Sequence, residues 1–387
     1  MIRCTSARVD LSALDANYRA VAAHLSNEAA LNRGAGRGPA LAPGIIAVVK
    51  ANAYGHGARK VALALEAAGA TMLAVADLEE GVDLREAGVR VPILVFGALS
   101  VSDVDGVFAH ALTPTISSPA AGQALQAAAA ARGATLHYHL KIDTGMNRLG
   151  FRHDNLRRTV PALLASSHLV LDAVHTHFGT ADEPDGTQFE DQRKNFDSAW
   201  RVLDELGAGP RVRHAANSAA LLRDSRVWYD FVRPGLLLYG LVPPPLGSNL
   251  AITPVMSLAS RVVAVKGVRV GEPVGYGGRF RAERPTTLAV IPAGYADGLD
   301  RRLEGRGAVL IRGRRAPIIG AVSMDMLTVD VTDIEAVGPG DEVVFLGSQG
   351  PDAHQTIDAR EMAAWIGTIP YEILCRLGSR VERQYGR

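Results

Sequence analysis

Several features that would mark common classes of protein are scarce in this sequence. It has only two cysteines, Cys4 and Cys375, in 387 residues. They lie near opposite ends, lack metal-ligand spacing and cannot form a disulfide framework, so a reducing compartment and no metal site are expected. Net charge is also nearly absent: 41 Lys and Arg face 40 Asp and Glu, leaving +1. That balance gives no reason to expect a nucleic acid or an anionic membrane as partner. No apolar run reaches the about 18 residues that would suggest a spanning helix, and Met1–Asp10 shows no signal-peptide pattern. The matching expectation is a cytoplasmic location. Charged residues make up 21% and hydrophobic ones 48%, which argues against bulk disorder and for large buried cores.

What is present is a rhythm. Residues 27–44 are rich in Gly, Pro and Ala and read as a surface loop. After them, short apolar runs alternate with amphipathic stretches: IIAVV at 45–49, MLAVA at 72–76, PILVF at 92–96, LTPTI at 112–116, LHYHLKI at 136–142, LVLDAVHTH at 169–177, VRHAA at 212–216 and VRPGLLLYG at 232–240. Pro114 is unusual inside a strand. Helices are expected between the runs, among them 78–88 and 188–207. Eight such units in roughly 200 residues predict an α/β fold, a (β/α)8 barrel of TIM type. After about residue 245 the segments become short, β-rich and Gly-separated, predicting a second, mainly antiparallel β domain with a helix near 357–367. The opening CTSARVDL suits a strand given to that domain. The expected division is therefore 1–10 with the C-terminal domain, 11–245 as the barrel and 246–387 as the β-rich domain. The basic run Arg312, Arg314 and Arg315 reads as a solvated loop.

Chemistry in such barrels sits at the C-terminal ends of the strands. There stand Lys50, then Arg148, His177, Asn217 with Ser218, and Arg233 with Gly235. They are scattered in sequence but share one rim if the barrel forms. A lysine leaving an apolar strand has an amine in low-dielectric surroundings, where it can lose its proton and attack a carbonyl to give a Schiff base. The plainer alternative is a lysine reaching a surface carboxylate.

The segment AVVKANAYGHG around Lys50 closely resembles the lysine motif of alanine racemases, enzymes that use pyridoxal 5'-phosphate (PLP). The resemblance continues in family order through KIDTGMNRLGF, HTHFGTADE, HAANSAALL, VRPGLLLYG, VGYGGRF, IPAGYADGL, AVSMDMLTVD and IPYEILCRL, covering residues 45 to about 377. It implies that Lys50 carries PLP, with phosphate contacts from Tyr54, Ser218, Gly235, Leu236 and Tyr371, and with Asn217 beside them. Arg233 would face the pyridine nitrogen and, as a permanent donor, keep it unprotonated. His177 would pack near the ring. Arg148 would meet the phenolic oxygen, oriented by Lys141 if that lysine is carbamylated.

Racemisation needs a base on each face of the substrate's α-carbon. The resemblance assigns Lys50 to one face and Tyr276 to the other, with Tyr276 coupled to histidine and arginine partners, His177 among them. Met324 and Asp325 would line the substrate carboxylate pocket through their backbone, and Tyr295 the entrance. Family members commonly carry serine where this chain has Gly275. The implied enzyme is a homodimer with active sites shared between subunits, making D-alanine for peptidoglycan. The rival readings are a broader-specificity racemase, a barrel-type amino-acid decarboxylase and a single-barrel PLP carrier. No acidic cluster suits a decarboxylase's basic substrate, and the residues after the barrel argue against a carrier.

Overall fold

A computed structural model of the chain describes residues 4–34, 42–98, 104–209, 212–350 and 355–386. The chain divides into two compact units. One comprises residues 14–53 and 58–253, the other 1–13, 54–57 and 254–387.

The chain opens with strand β1 (Ser6–Asp10) and a helix over Leu11–Gly34. Asp10 starts that helix: its Oδ1 accepts from the Ser12 and Ala13 amides at 2.8 and 2.9 Å. The helix continues through residues 27–34, so the loop expected at 27–44 is corrected there. The run NEAALNR is made mostly of residues compatible with a helix, and no Gly or Pro interrupts it. Residues 35–41 of the expected loop lie outside the described residues. Buried Asn17 anchors the helix by donating to the carbonyls of Leu238 and Thr253 and accepting from the Thr253 amide.

The first unit is a closed barrel. Its strands are β2 (Gly44–Val48), β3 (Met72–Val75), β4 (Ile93–Val95), β5 (Thr113–Ile116) and β6 (Leu136–Asp143), with the two-residue β7 (Phe151–Arg152) laid on β6. Strands β8 (Leu169–His175), β9 (Val212–His214) and β10 (Phe231–Val232) complete it. All pairings are parallel, β5 meets β6 and β10 returns to β2, so eight strands close the ring. Short apolar runs such as GIIAV and ILV are buried almost throughout, as expected when both faces of a parallel strand are covered. Pro114 sits within β5. The last three strands are shorter than their apolar runs. β8 stops at His175, β9 at His214, and LLLY of the final run forms a 3-10 turn over Leu236–Tyr239. The helices carry local signals. Pro119–Arg132, for example, has Ser118 accepting from Ala121 N–H, Pro119 in the first turn, and left-handed Gly133 at its end.

The second unit is built on a mainly antiparallel sheet. Its strands are β1, β11 (Met256–Arg261), β12 (Ala264–Val268), β15 (Thr286–Ile291), β16 (Ala308–Ile311), β17 (Arg314–Ile319), β18 (Leu327–Asp330), β19 (Glu342–Gln349), β20 (Gln355–Ile357) and β21 (Glu382–Gly386). The order is β12-β15-β18-β17-β16-β19-β11-β1-β21, with β20 on β19, and β13 (Pro273–Val274) and β14 (Phe280–Arg281) form a separate hairpin. Strand β1 pairs antiparallel with β11 and parallel with β21. Arg314 and Arg315 belong to β17 rather than to a loop, because AVLI and RRAPII pair as adjacent strands around Arg312 and Gly313. Their side chains still face outward, Arg315 pairing with Glu361 at 2.7 Å.

Candidate active site

Each barrel residue singled out from sequence lies at or just past a strand's C-terminal end. Lys50 follows β2, Lys141 sits near the end of β6 with Arg148 in the next loop, and His177 is two residues past β8. Asn217 and Ser218 follow β9, while Arg233, Gly235 and Leu236 follow β10. One rim therefore gathers all of them.

Behind Lys50 the backbone does something unusual. Ala51, Asn52, Ala53 and Tyr54 all have φ between 52° and 54°. This is the left-handed region, which costs L-residues roughly 1–2 kcal/mol each. Neighbouring groups hold the turn in place. Glu80 accepts from the Ala51 amide at 2.6 Å and the Ala76 amide at 2.8 Å, Asn52 Oδ1 accepts from Ala58, and Ala53 donates to Val49 O. The result is an abrupt exit from β2 directly after Lys50.

Arg233 is 4% exposed. It donates to His214 Nδ1 at 2.9 Å, to the carbonyls of Thr176 and Ala215 at 2.7 and 2.9 Å, and to His177 at 3.4 Å. None of these is a carboxylate, and burial pulls the guanidinium down to about 9. Because arginine only donates, His214 Nδ1 must be an acceptor. Its proton is then on Nε2 and is given to His139 Nδ1, 3.0 Å away. His175 stacks on His214 with ring centroids 4.7 Å apart. Burial keeps all three imidazoles neutral, lowering His139 to about 4 and His175 and His214 well below the usual range.

The Lys141 ammonium is disfavoured first by burial, then by the charges of Arg233, Arg148 and Lys50, with Asp143 alone opposing. His177 is held neutral by burial first, then by Lys141, Arg233, Arg148 and Lys50. Gln192, 1% exposed, ties the two loops that carry Arg148 and His177. It donates to Thr144 Oγ1 and His177 O and accepts from Gly179 N. Asn217 caps the helix Ser218–Arg223 by accepting from Ala220 N–H. Ser218 Oγ accepts from the Gly235 and Leu237 amides at 2.9 and 3.4 Å, which leaves its hydroxyl hydrogen to donate.

The remaining residues belong to the second unit. Buried Tyr54 and half-buried Tyr371 have ring centroids 6.0 Å apart, and burial followed by Tyr371 pushes the Tyr54 hydroxyl upward. Gly55 is required beside them, since a Cβ there would lie 2.1 Å from Leu374 O. Tyr276, 76% exposed, stands on a turn between Gly275 and Gly277, both near φ +73°. A side chain at Gly275 would be strained by that backbone and would lie 3.0 Å from the Ala321 amide nitrogen, so glycine fits there. Met324, Asp325 and Tyr295 sit on two adjoining exposed turns: Tyr295 N–H donates to Ser323 O and Ala296 N–H to Met324 O.

The sequence reading did not find Glu80, Gln192, the three buried histidines, Asp297 or Arg380. Each acts through another residue, so only the tertiary structure reveals its partner. Among the described residues, no group of three or more His, Cys, Asp or Glu could hold a metal, and no helix is long and apolar enough to cross a membrane.

A closed parallel barrel with its polar residues on one rim, followed in the chain by an antiparallel β unit, defines a two-domain barrel enzyme. Residues 9–243 match the family description "Alanine racemase, N-terminal domain" and residues 255–385 match "Alanine racemase, C-terminal domain". The chain is 45% identical to the alanine racemase of Carboxydothermus hydrogenoformans over 340 residues, 87% of this chain and 91% of that protein. It is 41% identical to that of Sorangium cellulosum over 99% of both chains. The crystal structure of alanine racemase from D-cycloserine producing Streptomyces lavendulae superposes with a TM-score of 0.91 at 34% identity, covering 100% of this chain and 98% of that one. The chain belongs to the alanine racemase family of isomerases.

Proposed function

We propose that this chain interconverts L- and D-alanine using PLP, by proton transfer between two bases, and so supplies D-alanine for peptidoglycan. The observation that carries this reading is the cationic rim. Arg233 is buried without a carboxylate, and the charges of Arg233, Arg148 and Lys50 bear together on Lys141. A buried guanidinium facing no carboxylate is costly, and a phosphorylated, phenolic ligand would bring negative charge to this rim. The donor set fits PLP in kind. Lys50 would carry it, Arg233 would donate to the ring nitrogen and Arg148 to the phenolic oxygen, and His177 would pack near the ring. Ser218, the Gly235 and Leu236 backbone, Tyr54 and Tyr371 would hold the phosphate, with Asn217 fixing the helix that Ser218 begins. Carbamylation of Lys141 would place a negative charge, directed at Arg148, where the ammonium is disfavoured.

Bound PLP supplies an electron sink that makes the substrate Cα–H acidic. This chain's residues do the rest. The Lys50 amine takes or returns the proton on one face of Cα and the Tyr276 phenolic oxygen on the other, so the configuration inverts. Met324 and Asp325 receive the substrate carboxylate and Tyr295 borders its entry.

We further propose a homodimer in which each site combines Lys50 of one subunit with Tyr276 of the other. Tyr276 at 76%, Ile369 at 54%, Met324 at 51%, Met326 at 48% and Tyr295 at 43% are large side chains exposed on the second unit of a single chain, which supports a covering partner.

The deciding experiment incubates the purified protein and PLP with single L-amino acids and separates the products by chiral chromatography. L- and D-alanine should each proceed to the racemic mixture. Equal turnover of many amino acids would favour the broader-specificity racemase, and no racemisation of alanine would overturn the reading.

A further inference from the structure

The turns that carry Tyr295, Met324 and Asp325 share one clamp. The Ser323–Met326 turn closes on itself: Ser323 donates through N–H and Oγ–H to Met326 O at 2.9 and 2.7 Å, and Met326 N–H donates back to Ser323 Oγ at 3.1 Å. The neighbouring turn is packed so tightly on it that a Cβ on Gly294 would lie 2.3 Å from Ser323 O. Asp297, 1% exposed, ends that turn and accepts from Gly294 N–H at 2.9 Å.

Arg380 binds both turns at once. Its Nε and Nη2 donate to the two oxygens of Asp297 at 3.2 and 3.1 Å. Its Nη1 donates to Asp325 Oδ1 at 2.8 Å, and Nη2 also reaches Met324 O at 3.4 Å. A planar fork can serve these acceptors together, whereas a lysine ammonium, a point charge on a flexible stem, cannot. The buried Asp297 carboxylate needs such a partner. Among the described residues, the amides of Met324 and Asp325 donate to no protein acceptor, and adjacent free amides of this kind suit an anion.

We propose that Arg380 is a positioning residue for the substrate carboxylate. It touches no substrate; it fixes the 323–326 turn so that its free amides stay aimed at one carboxylate. This rests on the racemase reading above. Without the fork the turn keeps its sequence but loses its orientation, and the loss falls on binding of the carboxylate.

The test compares the holoenzyme with Arg380→Lys and Arg380→Met. For Arg380→Met, KM for L- and D-alanine should rise about 10- to 100-fold, with kcat within about threefold of the parent. Arg380→Lys should fall between the two. Because the enantiomers have equal free energies, kcat/KM must drop equally in both directions. Propionate, which has alanine's carboxylate and no amine, should lose affinity by a similar factor in calorimetric titration. Arg312→Met is the control: it removes an arginine fork on Asp341 of the same kind, at 2.9 and 3.2 Å, and should leave KM unchanged. If Arg380→Met does not fold, Asp325→Asn, which spares the Arg380–Asp297 pair, should still raise KM by a smaller factor. A merely structural role would lower the melting temperature and leave the KM of the folded fraction unmoved. KM and propionate affinity within about twofold of the parent in both Arg380 variants, with cofactor absorbance intact, overturn the proposal alone. A parent without racemase activity overturns the functional reading with it.

Discussion

At the scale of residues, Lys50 is where sequence and structure converge most directly. A lysine behind an apolar run was legible as a candidate Schiff-base amine, and the fold puts it just past the end of β2, with its charge bearing on Lys141 together with those of Arg148 and Arg233. Borohydride reduction of the PLP-bound protein should fix the cofactor irreversibly on the peptide containing Lys50, as read by mass spectrometry. Label on Lys141 or Lys60 would displace Lys50 from its role. Residues in motifs were readable because their type alone announces chemistry. Asp297 and Arg380 were not, since an arginine in SRVERQYG looks like any solvated cation until its partners 83 and 55 positions away are known.

At the scale of elements, periodicity located every barrel strand but not its end. VRPGLLLYG is mostly apolar around Arg233, yet only Val232 of it is strand, and LLLY winds into a buried turn that left-handed Gly240 ends. The last turns of the long N-terminal helix, residues 27–34, were hidden by the alanine-, glycine- and proline-rich composition downstream of them. The three neighbouring strands β6, β8 and β9 bring His139, His175 and His214 into one buried stack, which gives the barrel a pH signature. His139 falls from 6.5 when unfolded to about 4 in the fold. Above pH 6.5 both states are neutral and nothing changes. Below it the unfolded chain takes up a proton first, so stability is lost as pH falls, by roughly 3 kcal/mol at about pH 4. Urea titrations should show this slope, and it should be shallower by about one proton in His139→Asn, which keeps an acceptor for His214 Nε2–H. An identical slope in both proteins would show that His139 does not remain neutral through this range.

At the scale of the whole molecule, the two-part organisation was readable from the change of rhythm near residue 245. The donated first strand was also readable, since it alternates apolar and polar residues before the helix begins. A monomer's sequence says little about its partner, however, and the shared-site proposal needs a whole-molecule test. Lys50→Ala and Tyr276→Phe, each alone, should lose about 10²–10⁴-fold in activity. Co-expressed with two tags and purified as mixed dimers, they should recover about half the parent's activity, because one composite site escapes both lesions. Verified mixed dimers that stay inactive would mean that both bases come from one chain.

The left-handed turn at Ala51–Tyr54 has the hand that a D-peptide adopts without strain. Each of its residues bears a steric load that an L-side chain creates and its mirror image would not. Glycine at position 51 should relieve that load, partly offset by its greater freedom when unfolded, for a net gain of up to about 1 kcal/mol in chemical denaturation. D-alanine placed there by chemical ligation would relieve it without the offset. The segment bearing the proposed catalytic lysine is thus one place where this chain would itself be better built from the enantiomer it is proposed to make.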